Sequence, residues 1–264
     1  MPISCPFPVR SVNQEEFARL DYQVMRLAFD SQSVLGRLGD EVIYQNDLAA
    51  RISAAGLGQV RQEVPVTVSH GDFVKVYRLD IVIADASIYE LKAENNLVAE
   101  HEAQLLNYLF LCGCQRGKLL NFRPAKVQSR FVNTHITPEA RRRLEVDTSR
   151  WREDGAGLKQ TLLDLMEDWG GFLELPLYLS ALTHFFGGEE KVVRMVPLIR
   201  KGVFLGNQRF HMLNDQVAFR LTAMTGETND YESQLKSLLR HSPLLGIQWI
   251  NMARHKVQFI TLSP

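Results

Sequence analysis

Apolar residues at Phe17, Leu20, Val24, Leu27 and Ala28 keep helical spacing, which predicts an amphipathic helix within Asn13–Gly36. A second helix is expected from about Asp40 through Ile52, stopping at Gly56. The period then changes. Three β-rich runs follow, VRQEVPVTVS (60–69), FVKVYRLDIVIA (73–84) and SIYELKA (87–93). AEHEAQLLNYLFLCG (99–113) reads as a helix, and GKLLNF (117–122) and VQSRFV (127–132) read as short strands. Helices, a three-strand meander, a helix and further strands predict a mixed α/β domain over residues 11–133. The polar segment PEARRRLEVDTSRWREDGAG predicts a charged linker, 134–157, before a second domain at 158–264.

Charged residues interrupt the apolar pattern in RLDIVIADASIYELKAE (78–94). Alternation puts Leu79, Ile81 and Ile83 on one face of the first strand and Asp80 on the other. On the second strand Glu90 and Lys92 share a face. A turn centred on Asp85 sets Asp80 opposite Glu90, with Cβ atoms ~5 Å apart. Carboxylates that close repel unless a proton or a cation lies between them. Oxygen ligands of this kind suit Mg²⁺ or Mn²⁺, and Lys92 falls beside such a site. Asp85 lies in the turn, off the strand face. On the hairpin alone, a surface patch in which Lys92 pairs with Glu90 and Asp80 is the simpler reading.

The helices add to the cluster. His101, Gln104 and Tyr108 fall at i, i+3 and i+7 on one helix face, and Glu41 and Tyr44 at i and i+3 on an earlier helix. A carboxylate from a helix would complete a cation site. Together these residues resemble the PD-(D/E)XK nuclease core: DIVI…IYELKA carries the acidic hairpin and QLLNY matches the QxxxY motif of the superfamily's RecB-like branches. The run from GDEVIYQNDLAARI to LLNF is similar to the bacterial GxxExxY family within it. The position of that family's glycine holds Leu38, with Gly36 and Gly39 nearby.

The resemblance implies a restriction-endonuclease-like core, a central mixed sheet flanked by helices. It implies Asp80, Glu90 and Glu41 as metal ligands with the backbone carbonyl of Leu91, Lys92 as the catalytic lysine, and Gln104 and Tyr108 flanking the site. It also implies Mg²⁺ or Mn²⁺ as cofactor and nucleic acid as substrate, DNA before RNA.

Residues 101–132 align without gaps with 231–262 at an offset of 130, and 8 of the 32 positions are identical. Upstream stretches continue the match with small gaps, which predicts the same fold duplicated in tandem, a pseudo-dimer within one chain. In the second copy that alignment sets His211 against Asp80, Arg220 against Glu90 and Thr222 against Lys92, a set unable to hold Mg²⁺ as carboxylates do. Arg220 is a candidate contact for a substrate phosphate.

Composition narrows the classes. Thirty basic and thirty acidic residues cancel, so nucleic-acid binding must come from a local patch rather than a global field. Arg141–Arg143, Arg150 and Arg152 make the densest basic segment, expected as a solvated face or a strip that tracks phosphates. No apolar run approaches the ~20 residues of a membrane span, and a cytoplasmic location is expected. Cys5, Cys112 and Cys114 lack the partners of a four-ligand metal site, and Gly56 and Gly58 lack a dinucleotide fingerprint. The expected function is a metal-dependent nuclease; the alternative is a non-catalytic nucleic-acid-binding or scaffold protein that keeps the fold.

Overall fold

The computed structural model describes residues 2–153 and 155–264; Met1 and Asp154, the latter inside the expected linker, lie outside the described residues. The chain divides into two compact units, one reaching Ala140 and the other starting at Arg141. No helix among the described residues is long and apolar enough to cross a membrane.

The first unit runs β1 (Ile3–Ser4), α1 (Gln14–Leu35), α2 (Glu41–Ala54), β2 (Val60–His70), β3 (Phe73–Ile83), β4 (Ser87–Lys92), α3 (Ala99–Cys112), β5 (Arg116–Asn121) and β6 (Gln128–Asn133). Its six strands lie in sequence order in one sheet. All neighbours are antiparallel except β4 and β5, which α3 connects in parallel. This is the mixed α/β architecture expected. Asn13 starts α1 by accepting the Glu16 N–H at 2.9 Å.

The α1 and α2 stripes pack on one sheet face, where Val24, Leu48 and Ile52 meet Ile81, Tyr89, Leu91 and Phe122. An ion pair pins α1 within this layer: Lys118 Nζ of β5 reaches Asp21 Oδ2 at 2.5 Å, with both side chains buried. Phe131 covers the ammonium, 4.1 Å from its ring centre.

The second unit begins with a short helix α4 (Pro138–Arg141), which spans the boundary, and β7 (Glu145–Arg150). It continues with α5 (Leu158–Trp169), α6 (Leu175–Phe185), the single turn α7 (Glu189–Val192), β8 (Val193–Arg200), β9 (Val203–Met212), β10 (Val217–Thr222), α8 (Asn229–Arg240), β11 (Gly246–Ala253) and β12 (Lys256–Leu262). Its sheet orders the strands β7-β12-β11-β10-β9-β8. Strands β8 to β12 repeat the order and polarity of β2 to β6, including the parallel pair joined by a helix.

Much of the segment expected as a linker is structured. β7 pairs in parallel with β12, Arg150 forms two bonds to Glu232, at 2.7 and 2.9 Å, and Gln248 donates to the Arg152 carbonyl at 3.0 Å. The polar sequence of β7 suits an edge strand, which the alternation of buried residues does not mark. Nor do the arginines form a continuous basic strip. Arg141 is buried and donates to the carbonyls of Trp169 and Gly171, closing the end of α5, and burial pulls its pKa down to about 10.

Two devices recur in both units. Asn121 receives the Glu94 N–H at 3.0 Å and donates to the Glu94 carbonyl at 2.7 Å. Asn251 does the same with Met224, at 2.8 and 3.0 Å. Each asparagine thereby ties the chain leaving the central strand to the next strand. Tyr44 donates to the Gly36 carbonyl at 2.9 Å, and Tyr178 donates to the Gly170 carbonyl. Each tyrosine thus closes the glycine loop ahead of its helix.

Removing one partner of a buried pair leaves an uncompensated charge. Asp21→Ala is therefore expected to destabilise the first unit by about 3–5 kcal/mol. All three tryptophans, Trp151, Trp169 and Trp249, belong to the second unit, so hydrogen exchange on the full chain is the suitable measurement. Amides of α1 should exchange faster in Asp21→Ala, and Arg10→Ala, at the exposed Arg10–Glu16 pair, should leave them unchanged.

Candidate active site

The site lies where β3 and β4 part. Their ladder runs Ile83↔Ser87, Val82↔Ile88 and Ile81↔Tyr89 and stops there, which leaves Asp80 opposite Glu90 with no backbone pairing between them. Asp80 fills the gap with its side chain: Oδ2 accepts the Leu91 N–H at 2.6 Å. The next carbonyl, of Lys92, turns to the other edge and accepts the Phe122 N–H at 2.9 Å. Because the N–H and C=O of one strand residue share an edge, the Leu91 carbonyl lies on the side of the fork.

Lys92 Nζ sits among the acids, 2.7 Å from Glu90 Oε1 and 3.8 Å from Glu41 Oε2. Glu41 is the first residue of α2, and Tyr44 one turn later sets its approach. The Tyr44 hydroxyl accepts the Gly39 N–H at 3.0 Å, and its ring stacks on Phe122 at 4.6 Å. Any side chain at position 39 would begin 3.3 Å from that ring, so glycine permits the close loop. Asp80, Glu90 and Lys92 are all buried, and Glu90 is only 1% exposed.

Burial, and then the charge of Asp80, push the Glu90 pKa up to about 8, with Lys92 only partly opposing them. Burial also raises Asp80, against the pull of the Leu91 N–H and Lys92. Glu41 rises chiefly by burial as well. For Lys92, burial acts to lower the pKa, but Glu90, Glu41 and Asp80 together outweigh it and the group ends above its usual value. The ammonium therefore stays charged, and the excess proton of the cluster resides on carboxylates. Glu90 Oε2 is buried without a hydrogen-bond partner. Among the described residues no three His, Cys, Asp or Glu side chains are gathered as a ready metal cluster.

Glu63 is an acid that the sequence reading did not select. The β2–β3 pairs Gln62↔Ile81 and Val64↔Leu79 set it opposite Asp80, on the side away from Glu90. Its backbone is left-handed, with φ of 49°, and Gln45 Nε2 donates both to Glu63 Oε1 and to the Asp80 carbonyl, each at 2.9 Å. The two-residue turn Gly71–Asp72 already fixes this register, so counting back across the hairpin would have found Glu63.

Gln104 and Tyr108 form a separate pair. Gln104 Nε2 donates to the Tyr108 hydroxyl at 2.9 Å, and the Tyr108 ring meets Tyr77 edge-on at 6.1 Å. They touch β3 three residues ahead of Asp80. His101 accepts the Val98 N–H at 3.3 Å and caps α3. Asp85 pairs with Arg61 at 2.7 Å. The cysteines are free, and burial pushes the Cys114 thiol up to about 12.

The second unit has the same fork with other residues in it. The β9–β10 ladder stops at His211↔Phe219, the counterpart of Ile81↔Tyr89 at an offset of 130. The position matching Asp80 is therefore Phe210, not His211. The register with β8 shifts between Leu198 and Ile199 and leaves Leu205 of β9 unpaired, so β8 rather than β9 departs from the constant offset. Arg220 stands for Glu90 and Thr222 for Lys92. Trp249 Nε1 donates to Thr222 Oγ1 at 2.9 Å, and Thr222 donates to Asn251 at 2.8 Å, so these positions carry neutral hydrogen bonds.

An acid whose native pKa exceeds its unfolded value subtracts stability as pH rises between the two, because the unfolded chain sheds the proton first. For Glu90 that window runs from 4.5 to about 8. Asp80 and Glu41 act with the same sign, while Lys92 titrates above the window. Glu90→Gln should therefore flatten the decline in melting temperature measured by calorimetry at pH 5, 6.5 and 8. Parallel declines for variant and wild type would contradict the assignment.

Residues 18–132, within the first unit, match the family model of the PD-(D/E)XK nuclease superfamily. No curated protein matches the chain. Among solved structures, the crystal structure of SSO0001 is similar, with 20% identity and a TM-score of 0.28, covering 47% of this chain and 65% of that one. The first unit therefore joins a mixed α/β fold to a sequence match with the PD-(D/E)XK nuclease superfamily.

Proposed function

We propose that the first unit is a metal-dependent nuclease that hydrolyses phosphodiester bonds, with DNA as the favoured polymer. The observation that carries this reading is the buried trio of Asp80, Glu90 and Lys92 at the fork, within the segment that matches the superfamily. The donor set fits a hard divalent cation: carboxylate oxygens, one of them buried and unbonded at Glu90 Oε2, with the Leu91 carbonyl on the same side. Asp80, Glu90 and that carbonyl would hold Mg²⁺ or Mn²⁺, with Glu41 reaching in from α2. A cation held there would supply positive charge to the phosphodiester oxygens and lower the pKa of a bound water.

The chain's own groups do the rest. The Leu91 N–H fixes the Asp80 carboxylate in one orientation. Lys92 keeps its proton at Nζ and presents a fixed positive charge where negative charge develops on the phosphate and the leaving oxygen. Glu90, whose carboxyl burial and Asp80 push up to about 8, would have to give up its proton for its oxygens to hold a cation. Gln104 and Tyr108, held against Tyr77, border the site and are proposed to steer the strand rather than take part in bond cleavage.

We infer also that the second unit is a copy of the first, from the shared strand order, the two asparagine clamps and the common offset of 130. With Phe210, Arg220 and Thr222 in its fork it lacks the ligands for a cation. That observation favours a binding role for this half and gives substance to a second reading, a protein that grips nucleic acid without cutting it.

Linear and circular DNA, single strands and RNA, each incubated with Mg²⁺, Mn²⁺ or EDTA, test the proposal. Wild type should cut with metal and not with EDTA. Asp80→Ala should be inactive, and Lys92→Met slower by roughly 10²–10³-fold, as expected for loss of one group that stabilises developing charge. A wild type that stays folded and cuts no substrate with either metal would sink the nuclease assignment and leave the binding reading.

A further inference from the structure

The fork of the second unit opens on a cleft of about 310 Å³. Its wall combines Arg220 and Arg209 with Phe219, Tyr231, Gln234 and Leu238. Arg220 occupies the position where the first unit has Glu90, so the sign of the charge at this point is reversed. The side chain is held: its Nε donates to the Tyr231 hydroxyl at 3.0 Å, and Tyr231 in turn rests against Trp249, with ring centres 5.4 Å apart. Among the described residues no carboxylate pairs with Arg220. Its two terminal nitrogens remain as an oriented fork of donors, the shape that engages two oxygens of one phosphate. Arg209, on β9, adds a second positive charge, though Glu189 at 3.0 Å shares it. No acid lines the cleft itself.

We propose that this cleft is a phosphate-binding site that takes a backbone phosphate of a nucleic-acid strand on Arg220. The rings and side chains of Tyr231 and Leu238 in the same cleft suit the sugar and base flanking that phosphate. A cation site in one unit and an anion site in the other thus occupy the same fork of the same topology. The identity of the polymer rests on the nuclease reading of the first unit; the phosphate site itself does not.

The test is fluorescence anisotropy of a labelled single-stranded oligonucleotide in EDTA, where no cleavage occurs, with full-length wild type, Arg220→Gln and Arg240→Gln. Arg220 is exposed, so its replacement should leave the fold intact, and the thermal melt of the tryptophan-bearing second unit checks this. Arg220→Gln should weaken binding roughly tenfold and lower the slope of log affinity against log salt by about one, the loss of a single phosphate contact. Arg240→Gln, at an exposed arginine outside the cleft that donates to Ser237, should bind like wild type. Inorganic phosphate should displace the Arg220-dependent part of the binding more than chloride at equal ionic strength. Binding by Arg220→Gln equal to wild type, or phosphate no better than chloride, overturns the site. If the wild type never cuts but binding still depends on Arg220, the nuclease reading fails and the phosphate site stands.

Discussion

Asp80 and Glu90 face each other on neighbouring strands with Glu63 opposite Asp80 on the far side, and negative charges so placed repel unless a proton, an ammonium or a cation lies among them. At the ~5 Å between directly opposed strand residues, two like charges cost on the order of 3 kcal/mol at an effective dielectric near 20. Burial of Glu90, and then the charge of Asp80, push its carboxyl up to about 8. Much of the first unit's local structure serves to hold the arrangement. Tyr44 and the glycine loop fix Glu41. Gln45 binds Glu63 and the Asp80 backbone together. The Asn121 clamp and the Asp21–Lys118 pair tie β5 to the chain beyond β4 and to α1.

The second unit shows what the same backbone does without that constraint. Phe210 joins an apolar cluster with Met212, Ala218 and Leu235, and Thr222 settles into a neutral chain of hydrogen bonds with Trp249 and Asn251. Every charged position of the first fork has become apolar, neutral or, at Arg220, exposed to water. The asparagine and tyrosine devices remain because they satisfy backbone groups that any sequence on this topology must satisfy. The shared strand order and the charged site are therefore separable.

The cross-strand pair Asp80–Glu90 was legible from period-two alternation and one short turn, since register follows from local chemistry. Glu41 followed from the resemblance and from helical spacing. Glu63 was equally fixed by a two-residue turn, but its strand carries no motif and so drew no attention. The strand β7 was illegible for a different reason: an exposed edge strand has no apolar alternation, and its polar residues read as linker. Its partner β12 lies more than a hundred residues away, and pairing over that distance leaves no local mark. The His211 alignment failed by one residue because the β8–β9 register shifts at Leu205 of β9, and bulges arise from strand pairing rather than from composition.

The energetic contrast between the forks bears on function more directly than any motif does. A buried acid cluster with an orphaned oxygen is a standing cost to the fold, and the second unit demonstrates that the same strand order forms without carboxylates in its fork. A chain that keeps Asp80, Glu90 and Lys92 together in one unit therefore bears a destabilisation that packing does not require. Strain of this kind persists where the strained groups act on something outside the fold. A divalent cation would relieve it directly, by taking the place of the proton on Glu90 and offering a partner to Oε2. In the proposed reading, metal binding and release of the Glu90 proton would then be coupled to the stability of the fork.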